Sequence, residues 1–193
     1  MKLITETSHD VELWESKSKV PYIIGVFSTA EVKNANGRRY TKNILEREVN
    51  SLIKEKINTK SAWGELQHPS SSEVNLADAA ILIEKLEWKG TDVYGKARLL
   101  DTPKGKIAQE LVKVGNIGIS SRGLGTVSES GYVNDDFNLI TYDLVSDASN
   151  PNSRFVNGIL EGVDFDIPKK LSLDEAQLEY INYNINLIKK LLN

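Results

Sequence analysis

The chain has 193 residues, no cysteine, two histidines and a formal net charge of −3, which excludes a disulfide frame, a thiolate nucleophile and a cysteine-based zinc site. Acidic and basic residues are mixed along the length instead of gathering into a basic stripe, so a nucleic-acid partner is not expected. No apolar run approaches the roughly 20 residues that span a bilayer, so no membrane partner is expected either. The length suits one domain with a full core, and the missing cysteines fit a reducing compartment.

Residues 1–19 carry Glu6, Asp10, Glu12, Glu15, Lys17 and Lys19 among few apolar positions, the pattern of a mobile or strand-adding arm that lies outside the core. The run from Val20 to Phe27 predicts a strand, with Pro21 at its start where a missing N–H costs least. Asn34 to Arg39 supplies turn chemistry. Thr41 then opens an amphipathic helix with Ile44, Leu45, Val49, Leu52 and Ile53 on one face.

Ala62-Trp-Gly-Glu-Leu-Gln-His-Pro69 reads as a short apolar element broken by its proline, leaving His68 at an element's end beside the serine-rich loop 70–72. Residues 79–88 and 92–100 flank Lys89-Gly-Thr and predict a β-hairpin. Thr102-Pro103 caps a helix that should turn Ile107, Ala108, Leu111 and Val112 inward and stop at Gly115. Next comes Ile117-Gly-Ile-Ser-Ser-Arg-Gly-Leu-Gly125, read as a short β-branched strand that ends in two hydroxyls, with glycines that let the backbone turn tightly. Its pleat puts Ile117, Ile119 and Ser121 on one face and Gly118 and Ser120 on the other. Taken alone it reads as a serine-capped strand end, and other parts of the chain have to decide. Residues 137–145 continue the strand pattern, and 146–154 form a polar loop.

From Ser172 a capping box precedes Leu178, Ile181, Ile185, Ile188, Leu191 and Leu192 at near-helical spacing, which predicts an appended C-terminal amphipathic helix after a linker around 164–168. Three segments follow: an N-terminal arm (1–19), a body (20–162), and a linker with its terminal helix (163–193). The fold class is α+β.

A serine hydroxyl attacks near neutral pH only when a base takes its proton, and His68 is the one histidine outside the N-terminal arm. A third group should hold the imidazole tautomer. Asp143, an acid inside a mostly apolar strand, is the first choice, with Asp147 and Asp78 behind it. Either Ser120 or Ser121 could be the partner.

Gln67-His-Pro69, Gly118-Ile-Ser-Ser-Arg-Gly123 and Tyr142-Asp-Leu-Val-Ser-Asp147, running on to Asn150-Pro151, occur in this order. Together they resemble the prohead core proteases of T-even-like tailed phages, a group related to the herpesvirus capsid-maturation proteases, over about 20–162. The resemblance implies an antiparallel, barrel-like sheet core and a serine endopeptidase that needs no cofactor or metal. It would act in the host cytoplasm, inside the assembling prohead, on scaffold, core and capsid proteins; a homo-oligomer is left open. His68 would match the family base. Ser121 would match the nucleophile, because a Ser-x-Gly pattern fits Ser121-Arg-Gly123, with Ser120 as the alternative and Asp143 or Asp147 as the third member.

Backbone donors near Gly123 and Leu124, or in the loop around Arg154, would hold the oxyanion. Relatives of this type cut after Glu in Ile/Leu-x-Glu, a pattern met at Glu6, Glu15 and Glu161. A zymogen that trims its own ends at these sites is the resulting expectation. The alternative is a non-catalytic scaffold or capsid-assembly protein that works through its C-terminal helix.

Overall fold

The computed structural model describes residues 2–8, 11–15, 21–115, 117–146 and 160–161, the first two and the last of these segments as backbone. The strands are β1 (Lys2–Ser8), β2 (Val11–Glu15), β3 (Pro21–Thr29), β4 (Trp63–Glu65), β5 (Ala79–Lys89), β6 (Asp92–Leu99), β7 (Gly118–Gly125), β8 (Asn138–Val145) and β9 (Leu160–Glu161). Two helices, α1 (Lys42–Leu52) and α2 (Pro103–Val114), pack on them. The linker at 164–168, the helix expected from Ser172, His9, Asp147 and Arg154 all lie outside the described residues.

Local chemistry sets most of these bounds. Thr41 accepts from Ile44 N and caps α1, which runs on through a π turn at Ile53–Ile57. Thr102 accepts from Gly105 N and caps α2 with Pro103 behind it, and Gly90, at φ +64°, closes the β5–β6 hairpin. α1 buries Ile44, Leu45, Val49 and Leu52 as its periodicity requires.

Helix α2 departs from its expected facing. Gly105, Ala108 and Val112 are buried, whereas Ile107 and Leu111 are 49% and 43% exposed. The reason is the close seat of its first turn: a Cβ on Gly105 would stand 2.1 Å from Leu100 O, so the small residues set which side touches the sheet.

Two sheets carry the fold. One has the order β1-β7-β8, the other β4-β5-β6-β3-β2-β9, antiparallel except for the β2–β9 pair. One apolar core joins residues of both sheets and both helices. The barrel-like closure that was expected is not formed by the described strands. Where β4 meets β8, side chains replace the ladder: Thr141 Oγ1 donates to Trp63 O at 2.6 Å, and Glu65 N donates to Asp143 Oδ1 at 2.9 Å. Main-chain pairing there is a single parallel bridge, Leu66 with Leu144. The two backbones come very close at this seam, since a Cβ on Gly64 would stand 2.1 Å from Tyr142 O.

Candidate active site

The site is built on this seam. The β7 strand does not end at its serines; it runs unbroken to Gly125, and Gly123 serves close approach, not a turn, because a Cβ there would reach within 2.5 Å of the Phe137 ring. On the pleat Ser120 and Arg122 share a face. The β7–β8 register sets Ser120 opposite Asp143 and Arg122 opposite Thr141, so the hydroxyl, the guanidinium and the carboxylate emerge on one side. Ile119, Ser121, Tyr142 and Leu144 take the other, all buried. Tyr142 shares a hydrogen bond with Ser28 Oγ at 2.9 Å, and its burial pushes the phenol pKa up, the Ser28 contact opposing only in part.

His68 comes to this face from the end of β4. Gln67 turns the chain with φ +69°, an uncommon backbone state for a residue with a Cβ. That state is held by Gln67 N donating to Leu144 O at 2.6 Å and by its side-chain Nε2 donating to Ser146 Oγ at 2.9 Å. Pro69 then biases His68 toward extended backbone.

The imidazole lies between the two strands' groups. Its Nδ1 is 2.8 Å from Asp143 Oδ2 and its Nε2 is 2.6 Å from Ser120 Oγ. A carboxylate only accepts, so Nδ1–H donates to Asp143; Nε2 of the neutral ring then accepts from the Ser120 hydroxyl. Asp143 is fully buried, while the His68 side chain keeps 20% exposure.

Beneath them Arg122 is fully buried. Nε lies 2.8 Å from Asp143 Oδ2, and Nη2 reaches Asp143 Oδ1 at 3.1 Å and Glu65 Oε1 at 3.0 Å. Nη1 donates to the carbonyls of Ser71 and Glu73. Nearby, Lys56 donates to Ile140 O; burial lowers its pKa, with Glu55 opposing the fall and Arg122 adding to it.

The sequence-predicted residues are thus brought together in part. His68 and Asp143 are brought together, and the serine on His68 is Ser120; Ser121, favoured by the family pattern, faces the opposite side of the sheet. Asp78 instead pairs with Lys104 and Asn75. Gly123 and Leu124 lie three and four residues along an extended strand, about 10 Å or more beyond Ser120, so they do not reach the carbon that Ser120 would attack.

Residues 2–162 match the family described as prohead core protein serine protease. The chain belongs to this family. A relative, the prohead core protein protease of Enterobacteria phage T4, is 45% identical over an alignment of 141 residues that covers 68% of this chain and 66% of that protein, just under two thirds of its length. The solved structure of the bacteriophage T4 capsid assembly protease matches with a TM-score of 0.70 at 38% identity, covering 75% of this chain and 96% of that one.

In this prohead protease family member, Glu65 and Arg122 are the site residues that sequence reasoning missed. The available signal was a carboxylate in a short apolar element and an arginine on a strand's serine face, each a charge where burial demands a partner.

Proposed function

We propose that the chain is a serine endopeptidase of phage prohead maturation, cutting scaffold and capsid proteins and itself after Glu in Ile/Leu-x-Glu sites. The observation that carries this reading is His68 held between Ser120 Oγ at 2.6 Å and Asp143 Oδ2 at 2.8 Å. Ser120 Oγ attacks the scissile carbonyl while its proton passes to His68 Nε2. Asp143 keeps the tautomer and stabilises the imidazolium, which then protonates the leaving amine, and water repeats the sequence in reverse on the acyl-enzyme.

The arm supports the zymogen part of the reading. β1 pairs antiparallel with β7, Thr7 opposite Ser120 and Glu6 opposite Ser121, so the backbone between Glu6 and Thr7 runs beside the nucleophile. Ser120 is itself fully buried, as expected of an enzyme whose substrate track is filled. Ile4-Thr-Glu6 is therefore the first self-cleavage site in this proposal. Glu15 and Glu161 are register partners on β2 and β9 in the other sheet, and remain candidates for cuts by a second molecule.

The test is incubation of wild type, Ser120→Ala, Ser121→Ala and His68→Ala chains with an Ile-x-Glu peptide, with mass spectrometry of peptide and protein. Cleavage after Glu that survives Ser121→Ala and is lost in Ser120→Ala and His68→Ala is the expected result. A folded wild type that cuts neither peptide nor itself would instead favour the assembly-protein alternative.

A further inference from the structure

Arg122 and Glu65 are charged, 0% and 2% exposed, and neither takes part in the proton transfers described above. A buried ion cluster of this kind is costly to desolvate and is weak evidence for stability. Its chemistry points elsewhere. One guanidinium stands between two carboxylates, Glu65 and Asp143, so with His68 neutral the cluster carries one negative charge in excess. When His68 takes the Ser120 proton, the imidazolium brings the cluster to neutrality.

We propose that Arg122 and Glu65 are positioning residues of the proteolytic site, together setting a resting charge of one negative unit that is matched to the imidazolium formed during acylation. The inference rests on the protease reading above. Such a charge, fixed before reaction in a water-poor setting, favours the intermediate over the resting state.

Geometry supplies the rest. Asp143 Oδ1 accepts from both Arg122 Nη2 and Glu65 N, while Arg122 Nε stands 2.8 Å from Oδ2 as an ion-pair contact without a hydrogen bond, so the cluster holds the carboxylate with Oδ2 toward His68 Nδ1. The same cluster fixes the far side of His68. Arg122 Nη1 holds the Ser71 and Glu73 carbonyls, and Glu65 Oε1 accepts from Asn75 N, so the segment leaving His68-Pro69 is tied to the same ions. Among the described residues, the charged groups linked to the imidazole are Asp143 from β8 directly and, through it, Arg122 from β7 and Glu65 from β4; Lys56, from the turn after α1, feels the Arg122 charge and is turned to Ile140 O.

Glu65→Gln in the full chain tests the proposal, since it keeps shape and acceptor oxygen and removes one charge. With an Ile-x-Glu peptide, kcat should fall on the order of tenfold with KM kept, and the acidic limb of the kcat/KM profile should move to lower pH by about one unit. Arg122→Lys is the second variant: it keeps the charge but not the fork, and should lower kcat with the limb in place. A folded Glu65→Gln enzyme with the wild-type rate, or with a lowered rate and an unmoved limb, would overturn the charge-matching role. A wild type without any cleavage would instead sink the protease reading itself, so the two failures are distinguishable.

Discussion

Ser120 and Asp143 are direct cross-strand partners on β7 and β8. One register therefore aligns the hydroxyl with the carboxylate, and His68 closes the 2.6 Å and 2.8 Å gaps to them from a third strand's end. Asp143→Asn would let the imidazole take the wrong tautomer, so kcat should drop by roughly 10³ to 10⁴, and because it removes a buried partner of Arg122 it should lower the thermal midpoint as well. A loss of tenfold or less in steady-state peptide cleavage would remove Asp143 from its assigned role.

Gln67 offers a separate handle on His68. Gln67→Val places a β-branched residue at φ +69° and deletes the bond to Ser146, and should cost about 1–2 kcal/mol in urea unfolding, with kcat down on the order of tenfold as the imidazole shifts. Gln67→Gly accepts the same backbone and should keep most of the activity. Equal activities in the two variants would show that the left-handed turn does not place His68.

The β4–β8 seam should be intolerant of any side chain at position 64. Gly64→Ala pushes a methyl toward Tyr142 O and Ile81, and since the nearest obstacle is backbone the strands must part. A destabilisation of at least about 2 kcal/mol follows, together with loss of peptide cleavage as Glu65 and His68 leave Asp143. Wild-type stability by denaturant titration would contradict the seam as drawn.

Glu6→Ala should block the first self-cleavage without altering the fold. Mass spectrometry should then show the intact N-terminus, while added active enzyme still cuts the Ile-x-Glu peptide. Trimming between residues 6 and 7 that persists in this variant would break the link between the β1–β7 register and self-processing.

Tyr142 gives a pH dependence of stability. Burial raises its phenol pKa, so the folded state keeps a proton that the unfolded chain releases. Stability is fully present below the ordinary phenol value of about 10 and falls above it, by about 1.4 kcal/mol per pH unit from this group. Tyr142→Phe leaves Ser28 without this partner and should cost about 1 kcal/mol near neutral pH. At about pH 11 that difference from wild type should vanish or reverse in urea titrations. A constant difference across this range would refute the assignment.

Much of this protein was legible in the amino-acid order because the information is local. An apolar run opened by Pro21 marked β3, two strand runs around Lys89-Gly-Thr with an alternating second arm marked the β5–β6 hairpin, Thr41 and Thr102 announced the two helix starts, and the opposite facing of Ser120 and Ser121 followed from the pleat alone. The scarcity of histidine left His68 as the base to consider. Tertiary structure decided which serine face meets it, since that depends on the β7–β8 register and on a left-handed Gln67 that no propensity announces. It also decided that Gly105 and Ala108, not Ile107 and Leu111, seat α2, because closeness of backbones outweighs apolar area at that contact. The Arg122 cluster belongs to the same class: three strands' charges are stable only against one another, and burial of an ion is a property of the assembled neighbours, not of any one stretch of chain.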